Sequence, residues 1–162
     1  MSEKKTTVIV TPENVAELGI VVDPQDVYWL WRYSWRVETR HGYPHLLRRT
    51  RDGWLGKHIL ISFAQQLIGK KDGLVIDHIN GNSLDNRREN LRHCTRTQNM
   101  WNMKPHGRHV GVKGVYKTRC NSWKAEIQAN GKRFWSFHKT YEDAVEARRE
   151  MERTHHGEFA RA

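Results

Sequence analysis

Hydrophobic and polar positions change their spacing along the chain, and the changes mark its elements. After a short polar tail, TTVIV and IVV lean toward extended structure. Asp23-Pro24 predicts a helix start, with an acid at the cap and proline at the first helical position. That helix is expected through DVYWLWRYS, where Val27, Leu30 and Trp31 fall at i, i+3 and i+4. Residues 35–38 read as a strand, and the Arg40-His41-Gly42 turn leads to a partner strand over 43–50. Asp52-Gly53 marks another turn. HILISFAQQLIG is expected as one short helix closed by Gly69. The tryptophans and aliphatic side chains of this stretch are expected in the core.

From residue 74 the pattern shifts. Residues 74–76 predict a brief buried strand that runs into Asp77-His78. The polar loop INGNSLDNRREN follows, with Gly81 permitting the turn and Asn80, Asn82 and Asn86 as loop formers. Residues 91–94 read as a second strand, and Thr95-x-x-Gln98 is a capping-box signature for a helix reaching about Met103. Pro105 and Gly107 sit in the basic linker MKPHGRHVG, which ends that helix. Beyond it, 115–117, 122–128 and 133–137 predict three short strands, the last two joined by the hairpin signal Asn130-Gly131. Thr140 caps a final helix with Ala144, Val145, Arg148 and Met151 on one stripe, and Gly157 stops it. The fold class is therefore α+β in four parts. These are a supporting α+β segment (1–73), a strand–loop–strand–helix unit (74–103), a basic linker (104–110) and a three-stranded sheet with a helix (111–162).

Charge adds a partner to this picture. The 162 residues hold 28 Lys and Arg against 18 Asp and Glu, a formal net charge of +10. Between residues 86 and 133 stand twelve basic residues and two acids, so this window carries the whole excess. Trp101, Tyr116, Trp123 and Trp135 interleave with it. Such a pattern predicts a polyanion, nucleic acid above all. A membrane surface fits less well, because the window has no long basic amphipathic helix. No stretch approaches the ~20 apolar residues of a membrane span, and MSEKKTTV lacks the apolar stretch of a signal peptide. Cys94 and Cys120 form neither a CxxC pair nor a disulfide framework. A membrane protein, a secreted disulfide scaffold and a zinc ribbon are thus disfavoured, and a cytoplasmic protein with an anionic partner is expected.

Candidate chemistry lies in residues 74–103. Cleaving a phosphodiester needs a base to activate water, a hard cation at the phosphate and positive charge along the backbone. Histidine suits the first task near neutral pH, and carboxylate and amide oxygens suit a cation such as Mg²⁺. Asp77 and His78 are adjacent in a strand and so point to opposite sides. Asn90 follows His78 by twelve residues, and Asn99 follows Asn90 by nine. The predicted hairpin and the first turns of its helix would bring them to one small cavity.

The stretch VIDHINGNSLDNRRENLRHCTRTQNMWN resembles the HNH (ββα-metal) nuclease motif of phage and intron homing endonucleases. The following GVKGVY, WKAEI, NGKRFW and GEFA resemble the ethylene-response-factor (Apetala-two) DNA-binding domain. DVYWLWRYSW, HGYPHLLRR and KHILISFAQQLIG are similar to the segment preceding HNH in the same phage proteins. The resemblance implies that His78 is the general base, that Asp77 and Asn99 ligate one divalent ion, and that Asn90 holds the loop orienting His78. Asn99 stands where many relatives carry histidine, which favours Mg²⁺ or Mn²⁺ over Zn²⁺. Arg87, Arg88, Arg92 and Arg96 would neutralise the flanking DNA backbone. In the last module Lys113, Tyr116, Thr118, Glu126, Gln128, Arg133 and Trp135 match the related domain's DNA contacts, with Lys124 on the same outward face. Tyr116, Thr118 and Gln128 replace arginines of the plant domain, so its target sequence does not carry over.

The implied function is metal-dependent hydrolysis of double-stranded DNA, by nicking or double-strand cleavage, as a monomer or dimer. A phage homing endonuclease working in a bacterial host cytoplasm is the implied setting. A non-catalytic DNA-binding regulator built on an HNH scaffold is the rival from another class. An RNA-binding module is the weakest reading, since aromatic ribonucleoprotein motifs are missing.

Overall fold

The computed structural model describes residues 7–40, 42–54, 56–103 and 111–160. The expected linker, 104–110, lies outside the described residues. The chain divides into two compact units, residues 1–95 and residues 96–162.

The first unit is built on an antiparallel sheet in the order β1 (Thr7–Ile9), β2 (Arg36–Arg40), β3 (Tyr43–Arg51) and β4 (His58–Ser62). HILISFAQQLIG is therefore not one helix. Its first five residues extend as β4 against β3, with Leu47 opposite Ser62 and Arg51 opposite His58. An apolar run of this length fits strand and helix equally by pattern alone, and the open edge of β3 decides for strand by taking up its backbone groups. Ser62 then caps α2 (Phe63–Ile68), its hydroxyl accepting from the Gln65 amide at 3.1 Å. Pro24–Asp26 forms a 3-10 turn leading into α1 (Val27–Arg32).

Residues facing each other across an antiparallel pair share a face of the sheet. Val37 and Leu46 face each other and pack in a core with Leu30, Trp35, Phe63, Leu67, Leu84 and Leu91. Trp35 meets Phe63 edge-on at 4.8 Å between ring centroids, and its indole N–H donates to the Trp29 carbonyl at 2.9 Å. Burying Trp35 thus leaves no donor unpaired. Trp54 departs from the expected core placement: it is 94% exposed, near the tip of the β3–β4 connection. A two-stranded hairpin, β5 (Val75–His78) with β6 (Leu91–Cys94), completes the unit.

The second unit comprises α3 (Arg96–Asn102), the sheet β7 (Val115–Lys117), β8 (Trp123–Ala129) and β9 (Lys132–His138), and α4 (Tyr141–His156). Trp101 of α3 stacks on His156 at 4.1 Å, and Lys113 Nζ donates to the Met100 carbonyl at 2.8 Å. The Asn130-Gly131 turn forms as its residue types require, with both φ angles positive (51° and 75°). Thr140 Oγ1 accepts from the Asp143 amide at 3.1 Å and caps α4, whose Ala144, Arg148 and His156 are buried. Gly114 has a φ of +78°, and its carbonyl accepts from the Glu126 amide at 2.8 Å.

Candidate active site

Asp77 and His78 end strand β5, opposite Arg92 and Leu91 of β6. Asp77 is buried at 5% exposure, and Arg92 donates to its Oδ2 from Nε at 2.9 Å and Nη2 at 2.8 Å. His78 is half-buried, and its Nε2 lies 3.3 Å from Oδ1 of Asn86. Burial pushes the His78 imidazole below its ordinary value, against the opposing pull of Asn86, Asp77 and Asp85. A neutral ring at physiological pH is what a proton acceptor needs.

Asn90 ties the connection between the two strands together. Its Oδ1 accepts from the Asn80 amide at 2.9 Å, and its Nδ2 donates to the Asp85 carbonyl at 2.7 Å and to Asn80 Oδ1 at 3.1 Å. Asn80 and Asn82 continue the net, with Asn80 Nδ2 on Asp85 Oδ2 (2.8 Å) and Asn82 Oδ1 accepting from the Leu84 amide (3.1 Å). The asparagine side chains thus supplement the few backbone hydrogen bonds of this loop. Gly81, at a φ of 70°, closes the turn by donating to the His78 carbonyl at 2.8 Å.

The four arginines expected on the DNA backbone separate. Arg87 grips Asp85 through Nε and Nη2 at 2.9 and 2.7 Å, and reaches Glu89 at 2.8 Å. Arg88 forms a bidentate pair with buried Asp26, both bonds 2.7 Å, and Arg92 holds Asp77. All three have carboxylate partners inside the first unit, so their charge is locally offset. Arg96 is exposed at the start of α3. Asn99 is half-buried, the fourth residue of α3, and belongs to the second unit.

Protein 3.8 of Escherichia phage T7 is 34% identical over 91 residues, which cover 55% of this chain and 75% of that protein. Residues 57–101 match the family described as HNH endonuclease. The chain belongs to the family of this phage protein and carries an HNH endonuclease domain. No solved structure matches it. The HNH match begins one residue before β4 and runs into α3, so it includes Asp77, His78, Asn90 and Asn99.

An HNH domain implies DNA as substrate and in general a divalent metal. The carboxylate of Asp77 is of the oxygen type that suits a hard cation. Among the described residues no three His, Cys, Asp or Glu side chains gather, and a cation that keeps several of its waters needs only one or two carboxylates. Arg92 holds Oδ2 of Asp77, so any ion there shares this carboxylate with a guanidinium. No described helix is long and apolar enough to cross a membrane.

Each unit also has a sheet face that carries basic side chains. In the second unit Tyr116, Lys124 and Phe137 form one cross-strand row, Glu126 and Trp135 the next, and Gln128 and Arg133 a third. Six of the residues expected to contact DNA therefore share a face. Trp135 and Phe137 are exposed there, with ring centroids 5.4 Å apart. Lys124 pairs with Glu126 and lies over the Tyr116 and Trp135 rings at 5.6 and 5.8 Å. Lys113 and Thr118 have local roles instead, Lys113 on α3 and Thr118 closing the turn before β8 through Ser122.

The sequence reading missed the other face. Opposite its core side, the four-stranded sheet carries Arg36, Arg40, Arg49 and Arg51, with Glu38 the one acid on its strands. Glu38 is clamped between Arg36 (2.6 Å) and Arg40 (2.7 Å), while Arg49 and Arg51 are exposed. Their alternate spacing in RVETR and LLRRTR was the available signal. A second miss is Asn86, taken for a loop former and found buried against His78.

Proposed function

We propose that this protein is a metal-dependent HNH DNA endonuclease of phage origin, hydrolysing a phosphodiester to 5′-phosphate and 3′-hydroxyl ends. His78 takes the proton from the attacking water, and its depressed basicity keeps the ring ready to do so at neutral pH. Asp77 and Asn99 would hold one divalent cation, Mg²⁺ or Mn²⁺ by their oxygen chemistry, which when bound supplies charge stabilisation to the leaving 3′ oxygen. Asn90 keeps the β5–β6 connection rigid. The observation that carries the reading is the partly buried His78 beside buried Asp77 at the end of a strand inside the matched HNH segment.

Duplex DNA is the proposed partner for both basic faces. Arg49 and Arg51 of the first sheet offer phosphate contacts, which position without specifying. On the second sheet Arg133 and Gln128 are placed for base edges, each good contact contributing ~1–3 kcal/mol of discrimination, and Trp135 for sugar and base. A DNA-reading unit appended to a single nuclease motif suits a homing endonuclease acting in a host cytoplasm.

A second reading, a DNA-binding regulator on an inactive HNH scaffold, draws on the Asp77–Arg92 ion pair, which gives Asp77 a folding role of its own. One assay separates them. Supercoiled plasmid bearing the natural locus should be nicked with Mg²⁺ or Mn²⁺, and left intact with EDTA or with a folded His78→Ala variant. Plasmid that binds the protein yet stays intact with both metals would leave only the regulator.

A further inference from the structure

Tryptophan is highly buried on average, because its ring carries so much apolar surface. Trp54 is 94% exposed, the most exposed large hydrophobic side chain among the described residues. The loop that presents it is nonetheless fastened. The last pair of the β3–β4 ladder joins Arg51 to His58. Beyond it the Asp52 amide donates to the Lys57 carbonyl at 2.8 Å, and the Gly56 amide donates to the Asp52 carbonyl at 2.9 Å. The Trp54 amide donates to Oδ1 of Asp52 at 2.8 Å, which makes an Asx turn. Three hydrogen bonds thus hold the turn around residue 54 while its indole stays in water.

Charge says what this ring is placed to meet. Residues 43–62 hold Arg48, Arg49, Arg51 and Lys57 against one acid, Asp52, whose carboxylate is engaged in the turn. Arg49 and Arg51 stand two residues apart on one strand and so share a face. Both are exposed, as is Lys57. A ring set beside three exposed cations suits a polyanion that also offers flat apolar surfaces. Stacked bases along a phosphate backbone are such a partner: the cations take the phosphates, and an apolar side chain enters between base pairs. An anionic bilayer supplies charge too, but binding there draws on an apolar helix face, and this loop is a single turn.

We infer that the β3–β4 tip is a DNA wedge: Trp54 inserts into a base step of duplex DNA and unstacks it, while Arg49, Arg51 and Lys57 hold the flanking phosphates. The inference deepens the proposed reading of DNA as substrate and rests on it. It adds that the bound duplex is opened at one step rather than held as a straight rod. Trp54 acts on binding and on the shape of the duplex, so its role can be read without cleavage.

Plasmid bearing the natural locus, relaxed by a metal-independent topoisomerase in EDTA with the full chain bound, records unwinding as a shift in topoisomers after the protein is removed. A wedge untwists the step that it enters, so the wild type should shift them. Trp54→Ala should bind the plasmid at least about fivefold more weakly. At concentrations that restore occupancy, it should leave the topoisomers where free DNA has them. Trp54→Phe, which keeps a ring, should retain most of the shift. The urea midpoint of Trp54→Ala should match wild type, since the side chain lies almost wholly in water, and a lost shift is then not a lost fold. A shift of wild-type size in Trp54→Ala overturns the inference. So does a wild type that binds the plasmid yet leaves its topoisomers unmoved, and in that case DNA binding stands while the wedge falls. A chain that ignores the plasmid but docks through Trp54 on phosphatidylglycerol vesicles removes both. If the shift depends on Trp54 but the plasmid stays intact with Mg²⁺ and Mn²⁺, the nuclease reading falls and the wedge stands.

Discussion

At the scale of single residues, the site depends on groups whose partners lie inside the protein. The neutral form of His78 follows from burial, because an imidazolium loses more hydration than a neutral ring on entering the fold. The sign of the effect on catalysis is clear. Lowered basicity means the proton-accepting form persists to more acid pH, so the acid limb of the nicking rate should lie below the ordinary imidazole value of about 6.5. A rate profile measured at saturating Mg²⁺, with its acid midpoint at or above that value, would contradict a burial-lowered base. The placement of Asp77 and His78 was legible from the sequence because neighbours at the end of a strand need only local geometry. Asn86 was not, because what makes it more than a turn former is a contact with His78 and an anchor at Val21, 65 residues upstream.

Elements formed where local chemistry was complete. Ser62, Thr140, Asn130-Gly131 and Gly157 each supply a cap or turn that the residue type alone dictates. β4 was misread since its five residues contain nothing local that separates strand from helix; the exposed edge of β3 made the difference. The second unit has a sensitive point of its own in Gly114. A Cβ there would strike the Glu126 carbonyl and come within 2.7 Å of Arg148 Nε, at a backbone angle of +78° that side chains resist. Gly114→Ala should therefore destabilise the sheet–helix unit by about 3 kcal/mol through overpacking and left-handed strain. Urea denaturation followed by tryptophan fluorescence would show it as a lowered midpoint; a midpoint within error of wild type would mean that the β7–β8 approach relaxes freely.

Across the whole molecule, charge is sorted by faces and ion pairs rather than by position in the sequence. The basic window of residues 86–133 contains Arg87, Arg88 and Arg92, which are matched to Asp85, Asp26 and Asp77. The first 73 residues hold eleven Lys and Arg against eight Asp and Glu, and their sheet gathers four of the arginines on one side. If DNA lies on that side, replacing Arg49 and Arg51 together with alanine should weaken binding and flatten the plot of log affinity against log salt by about 1.8, near 0.9 for each lost phosphate contact. The folding midpoint should hardly move, because both side chains are exposed. An unchanged salt slope would remove this face from the footprint.

The sequence by itself determined the net positive charge, the hairpin with its adjacent Asp77 and His78, the asparagine-rich connection and the sheet-plus-helix plan of the last fifty residues. Each of these depends on near neighbours or on composition, which a linear chain already contains. Only the tertiary structure decided which arginines face outward, that HILIS pairs as a strand, and that Asn86 touches His78. Those outcomes depend on contacts between segments tens of residues apart, where burial and hydrogen-bond satisfaction select among local conformations that the residues alone leave nearly equal.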